Sequence, residues 1–206
     1  MSQQLGKVEK PLVSEFKAGR KLFFVPLVFT SPQPEPELLE LVNHYWDQVQ
    51  VQVTSLADKL SRVKKVYHEL IPNGGKKGIQ AIKELSTGSH RFVKSVLDNG
   101  AKLQPIEDSD LLAEFMDWSR CLMVGLQSQA ATSKVYQSYI ETQKRRNDQI
   151  VRQLDKTLKG NEAAVLLMRE GHQAQFPSDI EVFYVAPPSL DEIKRWFRAQ
   201  ESESQA

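Results

Sequence analysis

The segment Lys21–Phe29 constrains the fold more than any other part of this 206-residue chain. It reads Lys-Leu-Phe-Phe-Val-Pro-Leu-Val-Phe, apolar at odd and even positions alike and rich in aromatic and β-branched residues. Successive strand residues point to opposite faces, so such a strand needs cover on both. Pro26 has no N–H for a sheet ladder and implies an edge position or a bulge. The proline run from Ser31 to Pro36 then delivers the chain to a helix, and Pro36 suits a first helical position.

Apolar residues recur at alternating intervals of three and four from residue 36 to about 71: Leu38, Val42, Tyr45, Val49, Val53, Leu56, Leu60, Val63, Tyr67 and Leu70. The pattern is heptad-like and predicts one long helix that packs along another. Asn73-Gly74-Gly75 is its stop. A second helix is predicted over 76–98, weakened at Gly88. A third helical region runs from Pro105 to about Lys159, with Gly125 and the Ser/Ala-rich 128–133 as bending points. Residues 163–168 and 180–186 read as strands joined in a hairpin by the polar loop 169–179. Ser189-Leu190-Asp191-Glu192 has capping-box form ahead of a last amphipathic helix.

The expected fold is α+β and predominantly helical. A long antiparallel helical hairpin (the insert 36–159) sits within a small three-stranded sheet formed by 21–29, 163–168 and 180–186. The C-terminal helix covers one face. This makes 1–20 a polar lead-in, 21–199 a single domain, with β hairpin and helix at 163–199, and 200–206 a disordered tail.

Lys+Arg total 27 against 26 for Asp+Glu, so global charge favours no polyanion. Locally it is segregated. Residues 35–58 hold five acids and no base, net −5. Residues 59–94 hold nine bases and two acids, net +7. Residues 98–117 hold six acids and one base, net −5, and 144–159 hold six bases and two acids, net +4. Paired antiparallel helices would match these blocks, 59–71 beside 106–120 and 36–58 beside 134–159. The basic 59–94 segment is a weaker candidate for RNA or another polyanion, without the interleaved aromatics that stack on bases.

One cysteine, Cys121, rules out an internal disulfide and is expected as a small buried hydrophobe. Residues 1–10 carry no apolar leader core and no run approaches ~20 apolar residues. A cytoplasmic location and no membrane association are the default expectations.

Three places can carry chemistry. Lys76 and Lys77, beside Gly74 and Gly75 at a helix start, could hold an anion, although the spacing is not that of a P-loop. Glu114 and Asp117 share a helical face with a spacing compatible with a cation, and His68/Glu69 is the only pair the expected hairpin brings near; the favoured reading is complementation of the helix dipole, with Asp117 and Arg120 pairing locally, and no metal is assigned. The loop 169–179 offers His172 as an acid/base, Arg169 for an anion, and Glu170 or Asp179 to orient the imidazole. The sequence names no cofactor. The leading functional expectation is an interaction or assembly protein acting through coiled-coil-like helices, with a protein partner or self-association. The alternative is an enzyme or small-ligand binder whose site is the 169–179 loop, with His172, Arg169 and Glu170 as its residues.

Overall fold

The computed structural model describes residues 18–203 apart from Pro32. In chain order the elements are β1 (Arg20–Pro26), α1 (Pro36–Lys59), β2 (Val63–His68), α2 (Gly75–Leu85), α3 (Thr87–Asp98), β3 (Lys102–Leu103), α4 (Ser109–Met123), α5 (Gln129–Thr157), β4 (Ala163–Met168), β5 (Ile180–Tyr184) and α6 (Pro188–Glu203). The strands form one five-stranded sheet in the order β3-β2-β4-β1-β5, and every pair is parallel.

This overturns the expected three-stranded sheet with its helical hairpin. The protein is α/β, with helices distributed between strands. Parallel pairing also excludes a β4–β5 hairpin, because β1 lies between the two strands. The reason lies in the strands themselves. β1 and β4 are buried on both faces, as parallel strands under two helical layers must be.

β1 is a central strand with no bulge. Lys21 and Leu27 donate their N–H groups toward β4, so the even-numbered positions face β5. Pairing with β5 ends at Phe24↔Tyr184, so the N–H that Pro26 lacks would have had no partner strand. Tyr45 Oη instead donates to the Pro26 carbonyl.

The expected helix over 36–71 stops at Lys59, and 63–68 is a strand. Val66 and Tyr67 are adjacent, both fully buried, and belong to the cores on opposite sides of the sheet. A helical stripe has no place for both. One core lies under α1, α2, α3 and α6, where Tyr45, Trp46, Val49, Ile82, Phe92 and Ile193 cover Phe23, Val25, Val66 and Val165. Trp46 packs so closely on Gly88 that a Cβ there would lie 2.3 Å from its ring. The opposite core lies under α5, whose Ile150, Leu154 and Leu158 cover Leu22, Phe24, Tyr67, Ala164 and Leu166.

The segment 76–98 divides at Ser86, whose side chain accepts from Ser89 N–H and caps α3. The third helical region breaks at 124–128 into α4 and α5, which pack on each other. The acidic α1 and the basic α5 are therefore on opposite faces of the sheet, and the expected charge matching between them does not form. Cys121 is partly exposed. Ser189 lies inside α6, and its hydroxyl donates to Gln48 Oε1 at 2.8 Å. α6 continues through Gln200 to Glu203, while the polar lead-in over residues 1–17 and the tail end at 204–206 lie outside the described residues. Among the described residues, no helix is long and apolar enough to cross a membrane.

The loop 169–179 gets its length from this topology. It must return from the carboxyl end of β4 to the start of β5, crossing β1 on the α5 side. Ala174 and Phe176 pack onto that core as it passes.

Candidate functional site

β2 and β4 are neighbours whose following connections leave to opposite faces of the sheet, β2 toward α2 and β4 toward the crossover loop. Such divergence opens a crevice beyond the carboxyl ends of the strands, where open parallel sheets place their ligands. The first residues past those two strand ends are Glu69 and Arg169. Glu69 N–H still donates to Leu167 O at 2.9 Å, so the strand ladder fixes where its side chain begins.

Glu69 Oε1 accepts from Arg146 Nη2 at 3.1 Å and from Arg169 Nε and Nη2 at 3.0 and 2.9 Å. Its Oε2 accepts from Arg169 N–H at 2.8 Å. Arg146, from α5, also donates Nε to Glu107 Oε2 at 2.9 Å and Nη2 to Glu107 Oε1. Glu107 Oε1 accepts the N–H of Leu70, a non-glycine residue held at φ 69°. Side-chain exposure is 2% for Arg146, 1% for Glu69 and 0% for Glu107, but 40% for Arg169. Phe115 of α4 lies under both guanidinium groups, 4.8 and 5.6 Å from their central carbons.

Two carboxylates and two guanidiniums make a neutral set, which is how burying so much charge becomes tolerable. Burial pushes the Glu69 carboxyl upward, but Arg169 and Arg146 outweigh it and hold the group below the usual carboxylate range. Such a group is a fixed charge at neutral pH, not a proton acceptor.

The quartet borders a cavity of about 220 Å³ lined also by Tyr139, Gln143, Asn147 and His172. Tyr139, Gln143 and Asn147 stand four residues apart on α5 and so share one face. None of their side chains makes a hydrogen bond within the described residues, although Asn147 is only 5% exposed. Tyr139 and Gln143 are half-buried, so Asn147 is the one largely buried side chain of the row without a protein partner among the described residues. His172 packs its ring on Phe24 and Phe176 at 4.9 and 5.7 Å. Its Nδ1 accepts the Ala174 N–H at 3.2 Å, which places the neutral ring's proton on Nε2. Burial lowers the His172 pKa, so the ring is neutral at pH 7.

Of the residues singled out from the sequence, His172 and Arg169 meet here. Glu170 does not; its carboxylate accepts from Tyr184 Oη and from Lys194 Nζ. Asp179 pairs with Arg20 at 2.7 and 2.8 Å. Neither carboxylate orients the imidazole. Lys76 and Lys77 are exposed in the first turn of α2 and line no part of this cavity. Glu114 ties α4 to α5 through Thr142 and Arg145, and Asp117 pairs with Arg120. Among the described residues, no group of three or more His, Cys, Asp or Glu side chains could hold a metal ion. The bases of 59–94 are spread over the end of α1, the turn after it, β2, α2 and α3, with Lys65 bound to Glu162, Arg91 to Asp47 and Lys94 to Asp98.

Sequence reasoning missed Arg146, Glu107 and the Tyr139–Gln143–Asn147 row as site residues. One signal was available. Arg146 stands at four-residue spacing with Ile150, Leu154 and Leu158, a cation on the apolar stripe of α5.

A larger cavity of about 450 Å³ lies at the opposite end of the sheet between α1 and α3. Its one cation, Arg62, already donates to the Asn99 carbonyl. Comparison with protein-family models, curated proteins and solved structures finds no match to the chain.

Proposed function

We propose that this protein binds a small polar molecule beyond the carboxyl ends of β2 and β4, with the Nε2–H of His172 as one of its hydrogen-bond donors. The observation that carries this reading is the row Tyr139, Gln143 and Asn147, uncommitted and facing a buried ion quartet. A purely structural ion cluster has no need of a largely buried amide without a protein partner beside it. The quartet supplies a rigid frame, the α5 row supplies adaptable hydrogen bonds, and His172 supplies an Nε2–H donor. The test is a thermal-shift screen of small polar metabolites against the full chain. At least one chemical class should raise the Tm, and the rise should shrink in Asn147→Ala. For a compound found this way, His172→Ala should weaken binding about 10-fold. A screen with no stabilising compound would sink the proposal.

A second reading, self-association, draws on the tip of the α4–α5 hairpin. Met123 and Val124 there are 77% and 76% exposed, and Tyr136 and Ile140 extend the apolar surface. Residues 121–133 contain no charged residue, so two copies could meet there without repulsion. Light scattering should then give a dimer that Met123→Lys converts to monomer. A monomer at all concentrations removes this reading.

A further inference from the structure

We infer that the cavity receives an oxyanion, the carboxylate or phosphate of a small ligand, between the two guanidiniums and the Asn147 and His172 side chains. The inference rests on the small-ligand reading above and specifies the chemistry of its ligand. Three observations lead to it.

The first is charge. Glu69, Arg146 and Arg169 line the cavity, whereas Glu107 stands behind Arg146 and does not. Two guanidiniums therefore face the cavity against one carboxylate, with the balancing Glu107 set back behind Arg146, so an anion meets the positive side of a neutral set.

The second is the state of the donors. Arg146 uses Nε and Nη2 on the two glutamates, and Arg169 uses Nε and Nη2 on Glu69 alone. Neither Nη1 makes a hydrogen bond among the described residues. His172 offers Nε2–H, because its other ring nitrogen is occupied by Ala174 N–H. The Asn147 amide, almost wholly buried, adds a further donor without a partner.

The third is the want of a free acceptor with charge. Among the described residues Glu69 is the only carboxylate in the wall, and both its oxygens already accept from the arginines. A cationic ligand would find no open counter-charge, and would meet the two guanidiniums instead. Size limits the ligand as well. At about 30 Å³ per water molecule, about 220 Å³ holds roughly seven. That suits inorganic phosphate or a carboxylate of a few carbons.

The test follows the ring nitrogens of His172 by NMR on the full ¹⁵N-labelled chain, with His172→Gln to assign them. Inorganic phosphate, acetate, acetamide and ethylammonium are titrated separately at constant ionic strength in chloride. Phosphate or acetate should shift the His172 Nε2 resonance to saturation, and whichever does so names the anionic group. Asn147→Ala, which leaves every ion pair in place, should weaken that binding about 10-fold. Gln143→Ala serves as the second variant if Asn147→Ala fails to fold. An anion response unchanged in these variants would place the anion elsewhere and overturn the inference. Saturation by acetamide or ethylammonium alone would overturn the anion assignment and leave the small-ligand reading standing. Silence from all four probes would count against both.

Discussion

Arg146→Met is expected to cost the fold about 3–5 kcal/mol at pH 7, the range for removing one partner from a buried ion pair. Glu107 has no exposed side-chain surface, and its only other donor is the Leu70 N–H. Methionine fills much of the volume but leaves that carboxylate buried without a counter-charge. Glu69 suffers less, because Arg169 still holds both its oxygens. Urea midpoints at pH 7 check the loss. Adding Glu107→Leu should recover most of the loss, since an apolar pair of similar volume replaces a buried ion pair at little net cost. A loss below about 1 kcal/mol would mean that the Glu107 carboxylate escapes to water, contrary to its place in the core.

The strands and helices of this fold were unequally legible, and the reason is the shared arithmetic of apolar spacing. β1 and β4 read as strands because nothing helical puts apolar residues at every position. β2 failed because Val63 and Tyr67 fall at helical intervals that continue from Leu60 on one side to Leu70 on the other. The deciding residue was Val66, which sits beside Tyr67 and is buried on the other face. Once β2 is lost, the sheet loses its link from β4 to β3, and the remaining strands suggest a hairpin that parallel pairing forbids. The site was legible in half. His172 and Arg169 stood out because a polar loop joined two core strands. Their partners came from 69, 107 and 146, brought together only when β2 and β4 lie side by side. Glu170 misled because adjacency in sequence was taken for adjacency in space; in the crossover it points toward Tyr184 and Lys194 instead.

Acid should weaken the protein well before its carboxylates titrate, and His68 is the expected cause. The side chain is fully buried at the end of β2. Its Nδ1 donates to the Glu69 carbonyl at 2.6 Å, while Nε2 lies 3.4 Å from Ser89 Oγ. Burial pushes the pKa from its ordinary 6.5 down to about 4, against a smaller upward pull from Glu69. The unfolded chain thus takes up this proton near pH 6.5 and the folded chain only near pH 4. Between those values the unfolded state binds more protons, so stability falls as pH falls. At ~1.4 kcal/mol per pH unit, the whole interval removes about 3 kcal/mol. His172, also lowered by burial, adds in the same direction, whereas Glu69 contributes only below the ordinary carboxylate range. Urea unfolding of wild type and His68→Gln between pH 7.5 and 4 separates these contributions. The wild-type curve should fall more steeply, and the difference should be gone below pH 4. Parallel curves would show that the His68 proton is not excluded from the fold.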